Sequence, residues 1–229
     1  MRTILPSRAT LSEPDKTRTR RSPAREPAAA EGVLQRADMA QTSIVSEHAD
    51  GRTSPVRFGT IVFLASETLL FGGLFAAYFT LRAQTSPWPP EGADLDITLA
   101  AAATLVLIVS SLTFHLGARA AERGSHSGLR GWILVTLALG VTFLAMQTYD
   151  YAQLSFSVSD HAYGTMYWSL TGLHFLHVLA GSVLMVVVLA RAAQGAFRDD
   201  TDGLHAIGYY WHFVDVVWIA LFLTLFVLR

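Results

Sequence analysis

Five continuous apolar runs constrain this chain more than any other feature. They cover roughly residues 57–82, 97–117, 131–150, 164–191 and 207–228. Each has the about 20 residues that a helix needs to cross the hydrocarbon core of a bilayer. The runs do not alternate apolar and polar residues, so helices are expected and strands are not. In lipid, every backbone N–H and C=O must be bonded within the protein, which helices achieve segment by segment. The predicted fold is all-α: an integral membrane bundle of five transmembrane helices over residues 57–229, with a disordered N-terminal tail before it.

The tail prediction rests on composition. Residues 1–56 hold five of the eight prolines, nine of the seventeen basic residues and seven interleaved acids, with almost no apolar periodicity. Such a segment buries too little surface to offset its chain entropy. It also lacks the apolar core of a secretory signal. A second reading places the natural start at Met39, which makes 1–38 an over-called extension. The absence of cysteine excludes disulfides, Cys-based zinc or iron–sulfur sites and C-x-x-C-H haem attachment. A net charge of −1, segregated along the chain, offers no surface for nucleic acid.

Charge in the connections predicts orientation. The tail through Arg57 is basic, as is the second loop, with Arg119, Arg123 and Arg130 against Glu122. The first loop carries Glu91, Asp94 and Asp96, and the third carries Asp160 without a base. The fourth has Arg191 and Arg198 beside Asp199, Asp200 and Asp202. By the positive-inside rule, the N-terminus is cytoplasmic and, with five spans, the C-terminus lies on the outer face. The first loop holds Pro87, Pro89 and Pro90, which forbid helix and mark an ordered turn.

Polar residues within the spans are the candidates for function. Glu67 sits mid-way along the first, where an ionised carboxylate must be neutralised or paired. It is either a structural hydrogen-bonding group or a proton-relay carboxylate. His174 and His177 lie one turn apart in the fourth span, and one of them is expected to partner Glu67. A metal bound by these histidines with Glu67, His212 or Asp215 is conceivable, but hydrogen-bonded histidines explain the pattern without one. His212 and Asp215 share one face early in the fifth span, and Arg191 closes the fourth at the same level. Arg191 could reach a lipid phosphate or simply anchor the helix. Gln147 and Asp150 end the third span near the outer face, where an acid is tolerated among headgroups. Gly72–Ala76 and Gly73–Ala77 form a small-residue stripe suited to close helix contact. Trp211, Trp218 and Tyr209 read as packing or interface aromatics.

Four blocks carry a resemblance. They are Ser66-Glu67 with Phe71-Gly72-Gly73-Leu74-Phe75-Ala76-Ala77-Tyr78-Phe79; Gln147-Thr148-Tyr149-Asp150-Tyr151; Ser159-Asp160 through Tyr163-Gly164 to Thr171-Gly172-Leu173-His174-Phe175-Leu176-His177-Val178; and Trp211-His212-Phe213-Val214-Asp215-Val216-Val217-Trp218. In order and spacing the chain resembles subunit III of the haem-copper oxidases, and its five-span form is most similar to the actinobacterial cytochrome c oxidases. The resemblance implies a non-catalytic subunit without haem, copper or other metal, those cofactors lying in partner subunits. It implies packing on subunits I and II in a bacterial plasma membrane, binding of phospholipid, and support of proton uptake by a proton-pumping oxidase. It leaves open attachment to a cytochrome bc complex.

The same resemblance implies that Glu67 is the family's carbodiimide-reactive glutamate and that Arg191 contacts lipid phosphate. His174, His177, His212 and Asp215 match positions of polar contact within the bundle. Departures are the missing helices of the seven-span mitochondrial form, Asp150 in place of a usual Glu, and His205 where a Glu often stands. Alternatives from the same resemblance are a quinol oxidase subunit or a relative accompanying nitric oxide reductases. A free-standing proton channel and a bare assembly scaffold are readings of a different class.

Overall fold

The computed structural model describes residues 55–197 and 201–228. They belong to one compact unit, Thr53–Arg229. The predicted tail and the Met39 start fall outside the described residues, apart from Pro55 and Val56, which are already helical.

The unit consists of five helices: α1 (Pro55–Gln84), α2 (Ile97–Glu122), α3 (His126–Gln153), α4 (Ala162–Ala193) and α5 (Asp202–Phe222). All five are long and apolar enough to cross a membrane. After Phe222, α5 continues to Val227 with a wider turn, closed by Leu228 N–H to Leu223 C=O at 2.8 Å.

Several helix ends are set by capping chemistry and extend beyond the apolar runs. Pro55 opens α1, where its fixed φ suits the first helical position and its missing N–H costs nothing. The Asp96 carboxylate accepts from the amides of Thr98 and Leu99 at 2.9 and 3.0 Å and starts α2. Ser125 starts α3, and His161 Nδ1 accepts from Gly164 N–H at 2.8 Å to start α4. Between α2 and α3 only Arg123, Gly124 and Ser125 intervene. Gly124 at φ +73° makes the left-handed turn that lets the two helices return side by side.

Helices α2, α3, α4 and α5 form a ring, each packed on two neighbours in that ring, and α1 lies outside it against α4 and α5. Two fully buried indoles occupy the centre. Trp211 donates to Ser110 Oγ at 3.1 Å and Trp218 donates to Thr104 Oγ1 at 2.9 Å, tying α5 to α2. Close approach around Trp211 depends on glycine. A Cβ at Gly181 would lie 2.7 Å from the Trp211 ring, and one at Gly140 would lie 3.0 Å from it. At Gly208 a Cβ would meet the Phe114 ring at 2.7 Å, so α2 and α5 also touch through a glycine.

The Gly72–Gly73 stripe behaves differently. Both positions are exposed and nothing lies within 4 Å of where a Cβ would stand. The close packing this stripe permits is therefore not used among the described residues. The first loop is ordered as expected: Trp88 donates to Tyr78 OH at 3.1 Å and packs edge-on against Tyr163.

Candidate functional site

Glu67 projects from the middle of α1 toward α4, the helix on which His177 stands one turn after His174. The expected pairing is present, and it is made by His177: Nε2 lies 2.9 Å from Glu67 Oε2. Both side chains are largely covered, at 16% and 12% exposure, so the pair is shielded from the surroundings.

The second imidazole nitrogen determines the proton count. His177 Nδ1 lies 2.8 Å from the Leu173 carbonyl, which can only accept, so Nδ1 carries hydrogen. Two arrangements then make a bond between Nε2 and Oε2. Either a protonated Glu67 donates to neutral imidazole, or imidazolium donates to carboxylate. Each holds one proton between the two groups and is neutral overall, which removes the main cost of an acid at this depth. Phe71 packs edge-on against the imidazole at 5.2 Å, and Tyr210 OH donates to the His177 carbonyl at 3.0 Å. Beside the pair, α1, α4 and α5 enclose an apolar groove of about 640 Å³, walled by Phe63, Leu176, Val183 and Tyr210 among others.

His174, one turn away, does not join this pair. It is fully buried, packed against Trp218 and Phe143 with ring centroids at 5.0 and 5.6 Å. Neither of its nitrogens has a hydrogen-bond partner among the described residues. The polar contact expected of His174 is thus replaced by an aromatic one.

His212 and Asp215 face α2. Ser111 Oγ lies 2.5 Å from His212 Nδ1. Both Asp215 oxygens are buried without a formed hydrogen bond among the described residues, and Ser111 is a neighbouring polar group. Arg191 is exposed at the end of α4, with no hydrogen bond or ion pair to a described side chain. Among the described residues, no three His, Asp or Glu side chains gather as they must to hold a metal ion.

Several polar contacts were not anticipated from sequence. Asp150, near the end of α3, is turned into the bundle and buried, where it accepts from Tyr167 OH at 2.7 Å and from Gln147 Nε2 at 3.4 Å. Its burial follows from its place on the α3 face that also presents Gln147 and Phe143 inward. Arg57 pairs with Asp202 at 2.5 Å, joining the start of α1 to the start of α5. A signal for that pair was available, since both residues open spans predicted to begin on the same side. In the loop between α3 and α4, the Ser157 hydroxyl and amide donate to Asp160 at 2.6 and 2.7 Å. These bonds hold the Asp160 carboxyl below the usual carboxylate range.

An intramembrane Glu–His pair on neighbouring helices can stabilise a bundle or handle a proton, and comparison with known proteins supplies the context. The family model for cytochrome c oxidase subunit III matches residues 32–228. The chain belongs to this family. A probable cytochrome c oxidase subunit 3 of Nocardia farcinica is 43% identical over 187 residues, 80% of this chain and 92% of the relative. The Corynebacterium diphtheriae subunit 3 is 41% identical over 199 residues, 84% of this chain and 96% of its own length. The Thermostichus vulcanus subunit 3 is 38% identical over 189 residues, 82% of this chain and 94% of that relative. As a subunit III, the chain is a multi-pass membrane component of an oxidase complex with other subunits.

Proposed function

We propose that this chain is the non-redox subunit of a proton-pumping cytochrome c oxidase in a bacterial plasma membrane, with its N-terminus cytoplasmic. It packs on the redox-bearing subunits I and II, holds lipid, and sustains proton uptake through repeated turnover. The observation that carries this reading is the Glu67–His177 pair, a single-proton unit on the outermost helix of the bundle. A purely structural acid needs no imidazole whose other nitrogen is fixed by a carbonyl. That fixed tautomer leaves Nε2 and the carboxyl to exchange one proton without creating net charge.

The apolar groove beside the pair supports lipid holding, because its walls suit an acyl chain. Arg191 lies about two turns beyond Leu184 of that groove, within reach of a headgroup phosphate. Haem and copper belong to the partner subunits in this reading.

The test uses the assembled oxidase carrying Glu67→Gln. Amide replaces acid at equal size, so the pair loses its exchangeable proton while the fold is retained. Faster loss of activity per turnover is expected, with the initial rate little changed. An unchanged inactivation rate over many turnovers counts against the proposal.

A further inference from the structure

At the end of the bundle where α2 stops and α5 starts, the two helices splay around a groove of about 240 Å³. Polar side chains recur along it at helical spacing: His115, Arg119 and Glu122 from α2, and His205, Tyr209 and His212 from α5. At the mouth, His205 Nε2 and Glu122 Oε1 are 3.4 Å apart. At the inner end, His212 Nδ1 meets Ser111 Oγ, and Asp215, one turn further along α5 and 6% exposed, has Ser111 as a neighbouring polar group. His212 lines this groove, and its Nε2 is neither hydrogen-bonded to a described residue nor buried.

Two facts require explanation together. A groove lined by imidazoles, a guanidinium and a carboxylate is costly against lipid and hospitable to water. A buried carboxyl whose oxygens lack formed bonds needs a proton, a solvent molecule or an ion to compensate. One occupant satisfies both. We propose that the α2–α5 groove is a hydrated proton inlet, in which His212 and Ser111 relay protons between groove water and the Asp215 carboxyl.

The relay balances. His212 Nε2 takes a proton from hydronium in the groove, leaving water, while Nδ1–H passes its proton to Ser111 Oγ, and the Ser111 hydroxyl proton moves to Asp215. The carboxylate becomes neutral, the serine is regenerated and the imidazole has exchanged tautomers. The reverse sequence returns the proton to the groove. The titratable and charged groups that face this unit along the groove are His205, Tyr209 and His212 on its own helix and His115, Arg119 and Glu122 on α2. None of them forms a hydrogen bond or ion pair with Asp215. This unit is separate from Glu67–His177 and stands whether or not that pair sustains turnover.

Infrared difference spectra of the purified oxidase complex after a pH jump provide the test. A carboxyl C=O signal is expected in the wild type, absent in Asp215→Asn and retained in Glu67→Gln. On transfer to heavy water it should shift promptly, and Ser111→Ala should slow that shift by about a hundredfold. If Asp215→Asn does not assemble, Asp215→Glu assigns the signal by displacing it. The proposal is overturned if no pH-dependent carboxyl signal responds to either substitution. It is equally overturned if Ser111→Ala and His212→Phe leave the exchange rate unchanged.

Discussion

Helices α1 and α5 each carry one carboxylic acid within their continuous apolar run, Glu67 and Asp215, and they are held in place in opposite ways. Of the most apolar window of α1, 6% is buried in the bundle; for α5 the figure is 56%. The exposed helix depends on polar anchors, Glu67–His177 at its middle and Arg57–Asp202 at its start. The central helix depends on shape, with two buried indoles seated over glycines and hydrogen-bonded to α2. Lipid is as apolar as leucine, so apolar surface alone does not drive a helix onto its neighbours. A peripheral helix is then located by a few polar contacts, and a central one by close packing.

Breaking the packing of α5 should have the largest effect. Trp211→Ala empties the centre of the ring and should cost about 3–5 kcal/mol, seen as loss of the subunit from detergent-purified complex. Gly181→Ala forces a methyl into the Trp211 ring and should cost about 1–3 kcal/mol in reversible unfolding. If both prove mild, the view of α5 as shape-determined fails.

Substitutions on α1 should be gentler. A double-mutant cycle across Glu67→Ala and His177→Ala should give a coupling of about 0.6 kcal/mol and no more than about 1.7. Gly72→Leu should change the stability of the isolated chain by less than about 0.5 kcal/mol, because nothing packs there. Weakened retention of the same variant in the oxidase would sharpen the contrast by showing that a neighbouring subunit covers this face.

The smallest effect lies outside both helices. The Asp160 carboxyl is held low by Ser157, so its contribution is present above the unfolded-state value and is lost as pH falls through the folded one. Asp160→Asn should flatten the acid side of the unfolding profile by slightly lowering stability at neutral pH, with stability below the folded value unchanged.

The five spans were legible because hydropathy and length report directly on the bilayer. Pairing of Glu67 with a neighbouring histidine was legible because an acid at that depth needs a partner and two candidates stood at matching depth. Which of them it was could not be read: His174 and His177 are one turn apart, and rotation of α4 about its axis decides which meets α1. The same rotational ambiguity hid the burial of Asp150. The Gly72–Gly73 stripe was legible as suited to close helix contact, but the close approaches within the bundle occur at Gly140, Gly181 and Gly208. Spacing shows which residues share a face; the neighbour each face meets depends on the packing of the whole bundle.

The seating of Trp211 bears on the order of events at the ribosome. Its indole fills a space bordered by Gly140 on α3 and Gly181 on α4, yet it arrives on the helix synthesised after the other four. Until then the earlier helices enclose a hollow that only the final segment can fill. Assembly of this subunit is in that sense a keystone process: the arch stands when its last stone is placed, and a nascent chain halted before residue 202 would present an unfinished ring to the quality-control proteases of the membrane.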